Sequence, residues 1–537
     1  MTVDFIKLKK RLAFGAAVIF AAASLAAVIY YIIFPSEQFF HADCSDTILW
    51  AQASYDSGSL FNKDFGYAAM LPFGGTMLML PFIGAFGVSM TTHHIGMVLF
   101  TLLFFASVIF LCRSLKFSFS LSLTAAGTLA MVLCASAKLR EIFYEHVIYY
   151  SISVLIVCVL LSLLIRFREA FLCEKLHKRL VPIIFFTVLF SVCCALDGMQ
   201  IIATGVVPVF FAAVAEAFLN KERKIFSKES RVSFYFCLFS GISVVIGLWL
   251  LIMLSDGISA GYAGAYSQYS NMNEWLANLG KLPEHWFLLF GVDAEYGMGI
   301  FSLESIVNIV RIASALIVAI VPVIALIFYK KLDEATRMLV LAHFGVTAVV
   351  MFGYIFGILS AANWRLSPII CTGVLVCFAA FRAAKEHAVA LRLSVIAACV
   401  LVLMSAVSFK TVVQMEKNGI ELNEKYRLAQ VLDENGLNYG YATFWNSQAI
   451  TVLSDSKVRA ANVDINEKGI TPCAYQSNMN WFEEQEGVEK YFVLASDYEV
   501  SILETTTDWL YFDMLAVDAI EIEGYKIFVF ESTAFLK

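Results

Sequence analysis

The chain has 537 residues, of which 60% are hydrophobic and only 15% are charged, and its mean hydropathy is +0.76. Soluble domains carry about 25% charged residues. The composition therefore excludes a soluble, disordered or coiled-coil protein and predicts a polytopic membrane protein. The net charge of -6 argues against a nucleic-acid-binding protein.

The charge is distributed unevenly along the chain. Residues 410–537 carry a net charge of -11, whereas residues 1–409 carry +5. We therefore predict a membrane body over 1–409 and an acidic C-terminal domain over 410–537, which is an ordinary size for one soluble domain. Helix-like and strand-like runs alternate in this domain. The expected fold class is mostly α, a transmembrane helical bundle with a small α/β domain.

Eleven apolar runs are long enough to span a bilayer. They are 12–34, 95–112, 117–137, 147–165, 180–196, 199–218, 232–254, 306–329, 338–359, 366–381 and 388–409. With these spans, the connections on the N-terminal side carry 22 Lys and Arg residues, and those on the opposite side before residue 410 carry six. The positive-inside bias then predicts a cell-membrane protein with a cytoplasmic N-terminus and an extracytoplasmic C-terminal domain.

Two long connections fall on the predicted extracytoplasmic side, a first loop over 35–94 and a second over 255–305. The first loop contains an apolar run, 68–86, with two prolines and three glycines. Counting it as a span would place five basic connections outside, so we interpret it as re-entrant or interfacial.

The strongest local pattern in the first loop is a pair of aspartates. Asp43, Asp46 and Thr47 have the i, i+3, i+4 spacing of one helical face, and Gly58 can end the helix. Asp43 has two interpretations, a helix cap in a solvated loop or a general base or cation ligand beside the membrane.

The order Asp43, Ala51 and Gly58 after the first span resembles the opening of the GT-C superfamily of membrane glycosyltransferases. The branch with protein O-mannosyltransferases and aminoarabinose transferases has a D-E-A-x-Y…A…G pattern at this point. The Pro-rich apolar continuation after Phe65 is also similar. Cys44 stands where that branch usually has Glu, so Asp46 is the remaining candidate for a second carboxylate.

This resemblance implies transfer of a sugar from a polyprenyl-phosphate donor, with inversion, to a glycan, lipid or protein acceptor of the cell envelope. Asp43 would act as the base for the acceptor hydroxyl, and cations would bind the departing phosphate. The candidates for that role are Lys138, Arg140, His146 and Arg365, with Arg311 as a further one. Each has an alternative interpretation as a basic residue that snorkels to the membrane surface.

No metal is required by this chemistry, although Asp43 and Asp46 could recruit a divalent cation. The twelve cysteines include no CxxC pair, and the neighbouring His93 and His94 would point to different helix faces. We therefore expect no dedicated metal site from either group. The aromatic segment 439–446 is either part of a core or a sugar-stacking surface.

Two other functions stay open at this point. A transporter or lipid flippase would need buried charges or paired broken helices in the spans, which the sequence does not display. A non-catalytic membrane protein would use its acidic C-terminal domain to bind a partner. Loops folded over one cavity at the membrane surface would favour the enzyme.

Overall fold

The computed structural model describes all residues except 1, 220–226, 259–260, 262–266, 294–296, 359–361, 385–387, 507–508 and 537. The chain forms two compact units. One unit comprises Met1–Tyr31, Phe100–Leu251 and Tyr266–Met415, and the other comprises Ile32–Leu99, Ile252–Ala265 and Glu416–Lys537. Most of the first loop thus folds with the C-terminal residues, and the predicted boundary near residue 410 stays a prediction.

Ten helices in the described part of the chain are long and apolar enough to cross a membrane. They are Lys7–Ile33, Met90–Ser114, Tyr149–Leu172, Glu174–Leu196, Met199–Leu219, Lys228–Ser255, Leu303–Ile327, Glu334–Phe356, Asn363–Ala383 and Ala388–Val413. Each overlaps a run that the sequence predicts as a span. The predicted polytopic helical fold is therefore confirmed.

The remaining predicted span, 117–137, is not one straight helix. A helix over Phe119–Val132 is followed by helical turns over Ala137–Glu145 that bend away by 119°. The Ser136 hydroxyl accepts from the Leu139 N–H at 3.3 Å and so starts the second arm. Hydropathy cannot show this break because residues 133–135 are apolar too. Counted as one span, the bent pair brings the described total to eleven.

The apolar run at 68–86 does not form a membrane-length helix. It contains a π-helical turn, Pro72–Thr76, and a ten-residue helix, Met77–Phe86. This is shorter than the roughly 17 to 25 residues that a spanning helix needs. Shorter helices elsewhere cover Asp46–Ser57, Trp275–Gly280 and Leu282–Leu289.

Ion pairs join the ends of spanning helices within the first unit. Arg337 donates to the buried carboxylate of Glu216 at 3.0 Å. The buried Arg168 pairs with Glu334 at the start of another helix. The sequence gives no sign of these pairs because their members are far apart along the chain.

The C-terminal residues form a six-stranded sheet with helices on both faces. Its strands are β1 Tyr439–Ala442, β2 Arg459–Asn466, β3 Gly469–Pro472, β4 Tyr491–Ser496, β5 Asp518–Ile522 and β6 Tyr525–Phe530. Their order is β3-β2-β1-β4-β6-β5, with β1 parallel to both neighbours and the other pairs antiparallel. The predicted α/β domain is therefore present.

Alternate residues of the central strands point to two separate cores. The helices Glu424–Glu434 and Phe444–Leu453 cover one face, where Phe492 and Leu494 are fully buried. The helices Asp497–Leu503 and Trp509–Leu515 cover the other face, around buried aromatic residues.

Three groups of contacts, formed by Asn423, by the pair Asp455 and Ser456, and by a pair of β-bridges, tie the first loop to this sheet domain. Asn423 donates through Nδ2 to backbone carbonyls of residues 37, 38 and 40 at 2.8 to 3.3 Å. Asp455 accepts from the Met90 N–H at 3.1 Å, and the Ser456 hydroxyl donates to the Val88 carbonyl at 2.7 Å.

The third group of contacts is a pair of β-bridges from residues 65 and 66 to the loop 474–478. Gly66 donates its N–H to the Ser477 carbonyl at 2.9 Å. The loop residues 35–94 are therefore an integral part of the second unit rather than a separate connection.

Candidate functional site

The two predicted carboxylates lie on one turn directly after the first span. Asp43 belongs to the 3-10 turn Ala42–Ser45, and Asp46 begins the helix Asp46–Ser57, which ends as predicted at Gly58 with a left-handed φ of 63°. Ser45 occupies the cap position of this helix, but its hydroxyl donates backwards to the Ala42 carbonyl. Asp43 therefore does not cap the helix, in contrast to the simpler interpretation of the sequence.

The two carboxyl groups are in different environments. Burial, and next the charge of Asp43, raise the pKa of Asp46 well above its usual value, and the side-chain amide of Gln476 opposes the rise. The Asp46 Oδ1 atom is buried and has no hydrogen-bond partner among the described residues. Burial and a neighbouring negative charge both disfavour ionisation of a carboxyl group, so Asp46 holds its proton to a higher pH than an ordinary aspartate.

The sheet domain forms one wall around these carboxylates. The helix Phe444–Leu453 packs against the turn that carries Asp43. Behind Asp46, the Trp50 indole N–H donates to Gln476 Oε1 at 2.8 Å. Sequence reasoning missed Gln476, since a single glutamine in a polar loop carries no local signal and lies 426 residues from Trp50.

Some residues of the aromatic segment 439–446 lie in a core and one lies on the surface. Tyr439 and Tyr441 are core residues beneath the sheet. Trp445 is 60% exposed on the helix that contacts the Asp43 turn, and its ring lies 6.4 Å from that of His41. This segment thus contributes both to a core and to an open aromatic surface beside the carboxylates.

The adjacent histidines face different neighbours, as their sequence positions predict. The His93 ring packs edge-on against Phe40 at 4.9 Å, whereas His94 Nε2 lies 3.6 Å from a carboxylate oxygen of Glu37. In the described ranges, no group of three or more His, Cys, Asp or Glu side chains could hold a metal ion. A divalent cation at Asp43 and Asp46 would thus have two protein carboxylates, a set that Mg²⁺ accepts when substrate phosphates complete it.

The predicted cations belong to the first compact unit. Lys138, Arg140 and His146 lie on or next to the bent arm Ala137–Glu145, and Arg365 lies in the turn Asn363–Leu366. Lys138 Nζ pairs with Glu141 and lies 5.1 Å above the ring of Trp364. Its charge is therefore balanced within the protein.

Arg140 is a buried arginine with capacity for another ligand. Its Nη1 donates to the Cys134 carbonyl at 3.0 Å, and its guanidinium lies 5.4 Å above the ring of Tyr31. The Tyr31 hydroxyl donates to the buried carboxylate of Glu145. The Arg140 Nε–H has no partner among the residues that the structure describes.

The other candidate cations differ in their hydrogen bonds and ion pairs with the protein. Arg365 Nη1 donates to the Gly353 carbonyl at 2.6 Å, while its Nε–H lacks a partner within the described ranges. His146 is buried, with Nε2 3.9 Å from Glu141. Arg311 donates to Asn308 Oδ1 at 3.4 Å, and its Nε–H also lacks a partner within the described ranges.

Comparisons with known proteins give structural similarity only. No protein-family model and no curated protein matches the chain, whereas 14 chains of solved structures do. Apo ArnT from Cupriavidus metallidurans aligns with a TM-score of 0.49 at 10% identity, covering 98% of this chain and 99% of that one. At this identity the similarity assigns no role to any residue.

Two further similar structures are larger proteins. The apo oligosaccharyltransferase of Archaeoglobus fulgidus aligns with a TM-score of 0.48 at 11% identity, over 95% of this chain and 73% of that one. The mycobacterial arabinofuranosyltransferase AftD aligns with a TM-score of 0.44 at 12% identity, over 95% of this chain and 39% of that one.

Proposed function

We propose that the chain is a multi-pass glycosyltransferase of the GT-C type. It transfers a sugar from a polyprenyl-phosphate donor to a hydroxyl acceptor by a single displacement with inversion. The observation that carries this proposal is the pair Asp43 and Asp46, two carboxylates in unlike environments on the turn after the first span.

Asp43 is the proposed general base. The acceptor oxygen attacks the anomeric carbon, its proton passes to the Asp43 carboxylate, and the bond to the polyprenyl phosphate breaks. A phosphate leaves without a general acid, whereas a hydroxyl group needs a base. Because its pKa is raised by burial, Asp46 keeps its proton to a higher pH than an ordinary aspartate. Asp43 is therefore the proposed proton acceptor of the pair.

Arg140 and Arg365 are the proposed ligands of the donor phosphate. Each uses one guanidinium nitrogen to hold a backbone carbonyl and retains an Nε–H without a protein partner in the described part of the chain. An arginine fixed in this way binds phosphate oxygens in a defined orientation. Lys138, which is paired with Glu141, would contribute charge rather than a direct contact. Arg311, whose Nε–H also lacks a partner in the described residues, and the buried His146 are further candidates.

The sheet domain is proposed to hold the acceptor. Trp445 offers an exposed aromatic face beside the turn of Asp43, and sugars and other ring-bearing acceptors stack on such faces. The large exposed area of an indole is otherwise unfavourable in water.

The proposed orientation places the N-terminus in the cytoplasm and the sheet domain outside. Its support is the distribution of Lys and Arg between alternate connections. A phosphatase reporter fused to the C-terminal end of the full chain should be active only outside the cytoplasm. Cytoplasmic activity would contradict this orientation.

A transporter or flippase is the competing proposal. The bent pair Phe119–Val132 and Ala137–Glu145, with buried Arg140 and Glu145, resembles one broken helix of a transporter. In transporters such helices come as two matching elements, but one such pair occurs in the described residues. This difference favours the enzyme.

A donor screen tests the proposed function. The purified protein is incubated with polyprenyl-phosphate sugars and candidate acceptors, and mass spectrometry follows the release of lipid phosphate and the gain of one sugar. One donor should give both products, and Asp43→Asn should give neither. Lipid movement across liposomes without release of lipid phosphate from any donor would support the flippase instead.

A further inference from the structure

Gln476 occupies an unusual backbone position behind the carboxylate pair. Its φ of 57° lies in the left-handed region, which is unfavourable for a residue other than glycine. The residue is fully buried. Strained positions of this kind persist where the surroundings fix them, and they cluster at functional sites.

Three separate segments fix Gln476. Its N–H donates to the Gly66 carbonyl at 2.6 Å, and its own carbonyl accepts from Gln448 Nε2 at 2.7 Å. Its side-chain Oε1 accepts from the Trp50 indole at 2.8 Å. Both the backbone and one end of the side-chain amide are therefore held in place.

The contact with Trp50 also determines which way the amide points. An indole N–H can only donate, so the amide oxygen faces Trp50 and the NH₂ group lies on the opposite side. The side chain acts there on the carboxyl of Asp46 and favours its ionised form. Gln476 Nε2 and Asp46 Oδ1 are both buried, and neither has a hydrogen-bond partner among the described residues, so a donor and an acceptor stand free side by side behind Trp50.

We propose that Gln476 is a positioning residue, which the sheet domain places behind the carboxylate pair to hold the Asp46 carboxyl and, through it, Asp43. The link to Asp43 is the shared turn, since the Asp46 N–H donates to the Asp43 carbonyl. This inference rests on the proposed function, because it assigns to the sheet domain a part in the transfer site.

Glutamine suits this position for a chemical reason. A lysine would neutralise the negative charge of the pair, and a glutamate would add a further negative charge beside two carboxyls. A neutral amide can donate to Asp46 while it accepts from Trp50, and it leaves the charge of Asp43 unchanged. The residue type therefore fits the support of a carboxylate base.

Infrared titration of the full chain in detergent tests this role without any substrate. The carboxylic acid band of Asp46 is identified by its loss in Asp46→Asn. Gln476→Met removes the amide but preserves the length of the side chain, and the titration midpoint of the band should rise. Trp50→Phe should raise it less, and the double variant should match Gln476→Met, because both changes act through one contact.

Asn462→Leu is the matched control. Asn462 is also buried and donates to the neighbouring Tyr475 carbonyl at 2.9 Å, so its loss disturbs the same loop without removing the amide. Asn462→Leu should lower the midpoint of thermal unfolding but leave the titration midpoint of Asp46 unchanged. An equal shift in this variant, or no shift in folded Gln476→Met, would overturn the positioning role.

Kinetics separates this inference from the proposed function. Gln476→Met should lower kcat about ten-fold or more with little change in the KM of the acceptor, as for a misplaced catalytic group. Wild-type kcat in this variant, together with an inactive Asp43→Asn, would reject the positioning role and leave the proposed function standing. An active Asp43→Asn would reject the proposal that Asp43 is the general base.

Discussion

The backbone N–H of Asp46 donates to the carbonyl oxygen of Asp43, so that two carboxyl groups share a single turn. Their surroundings differ, because Asp46 is backed by the fully buried Gln476, whereas the Asp43 turn is packed against the helix Phe444–Leu453. Because of this difference in surroundings, we propose different roles for Asp43, the general base, and Asp46, its supporting neighbour.

Asp43→Asn should abolish most transfer. The asparagine retains the shape of the side chain but cannot take a proton, so the rate should fall by a factor on the order of 10² to 10⁴. Asp46→Asn should cost less, because Asp46 retains its proton to a higher pH in the wild type. Steady-state kinetics of both variants with one donor measures the difference. If Asp43→Asn is active and Asp46→Asn is inactive, Asp46 rather than Asp43 is the general base.

Arg140→Ala and Arg365→Ala should each weaken transition-state stabilisation by about 2 to 4 kcal/mol, the range for loss of one preorganised donor. The value follows from the ratio of kcat/KM with a fixed donor. Lys138→Ala is the matched control, because Glu141 already balances the charge of Lys138. Equal losses in all three variants would indicate a general effect of positive charge instead.

Trp445→Ala should raise the KM of the acceptor about ten-fold and leave binding of the donor unchanged. The loss of one stacked ring is worth about 1 kcal/mol or somewhat more. Trp445→Phe should restore part of the affinity. The equally exposed Tyr511 on the opposite side of the sheet is the control, and Tyr511→Ala should have no effect. An unchanged acceptor KM in Trp445→Ala would show that the indole does not bind the acceptor.

The stability of the protein should depend on Glu37 near neutral pH. Burial, with a smaller contribution from the charge of Asp455, raises the pKa of Glu37 to about 7. Since this pKa is higher in the folded than in the unfolded chain, its contribution to stability is complete below the unfolded value of about 4.3. That contribution is lost as the pH rises through 7.

Thermal unfolding at several pH values measures this effect. Between about pH 5.5 and about pH 8.5, the midpoint of the wild type should fall more than that of Glu37→Gln. Glu421→Gln changes an exposed glutamate of the neighbouring turn and should retain the wild-type slope. Parallel curves for Glu37→Gln and the wild type would contradict the assignment.

Gly66→Ala should destabilise the second compact unit. A Cβ at this position would lie 1.8 Å from the Ala474 carbonyl oxygen, and a backbone atom cannot move away as a flexible side chain can. Such overpacking costs about 1 to 3 kcal/mol or more. Gly280→Ala is the control, because nothing lies within 4 Å of its Cβ. The thermal midpoints of the two variants should differ clearly, and equal midpoints would mean that the loop adapts.

The positions of ten spans could be predicted because hydropathy and length are local properties. Each of the ten long helices overlaps a predicted run. The bend after Val132 could not be predicted, because it depends on the capping of a second arm by Ser136 rather than on any polar residue in the run. Alternating helix-like and strand-like runs also predict the α/β character of the sheet domain, whereas the order of its strands depends on contacts between distant residues.

The carboxylates of the candidate site could be located from the sequence, but their surroundings could not. The spacing of Asp43, Asp46 and Gly58 indicated a short helix after the first span, and that helix is present. The contact between Trp50 and Gln476 joins residues 426 positions apart. Pairings at such separation depend on the complete fold, and neither residue has a pattern that would reveal it.

The bridges from residues 65 and 66 to the loop 474–478 have a consequence for biosynthesis. The ribosome finishes the first loop long before it reaches the segment that pairs with it. During that interval the nascent chain contains the carboxylate turn without Gln476 behind it. A premature stop codon between residues 414 and 473 would leave the spans of the described residues intact but this loop permanently unpaired, so such truncated products should be prominent substrates for membrane quality control.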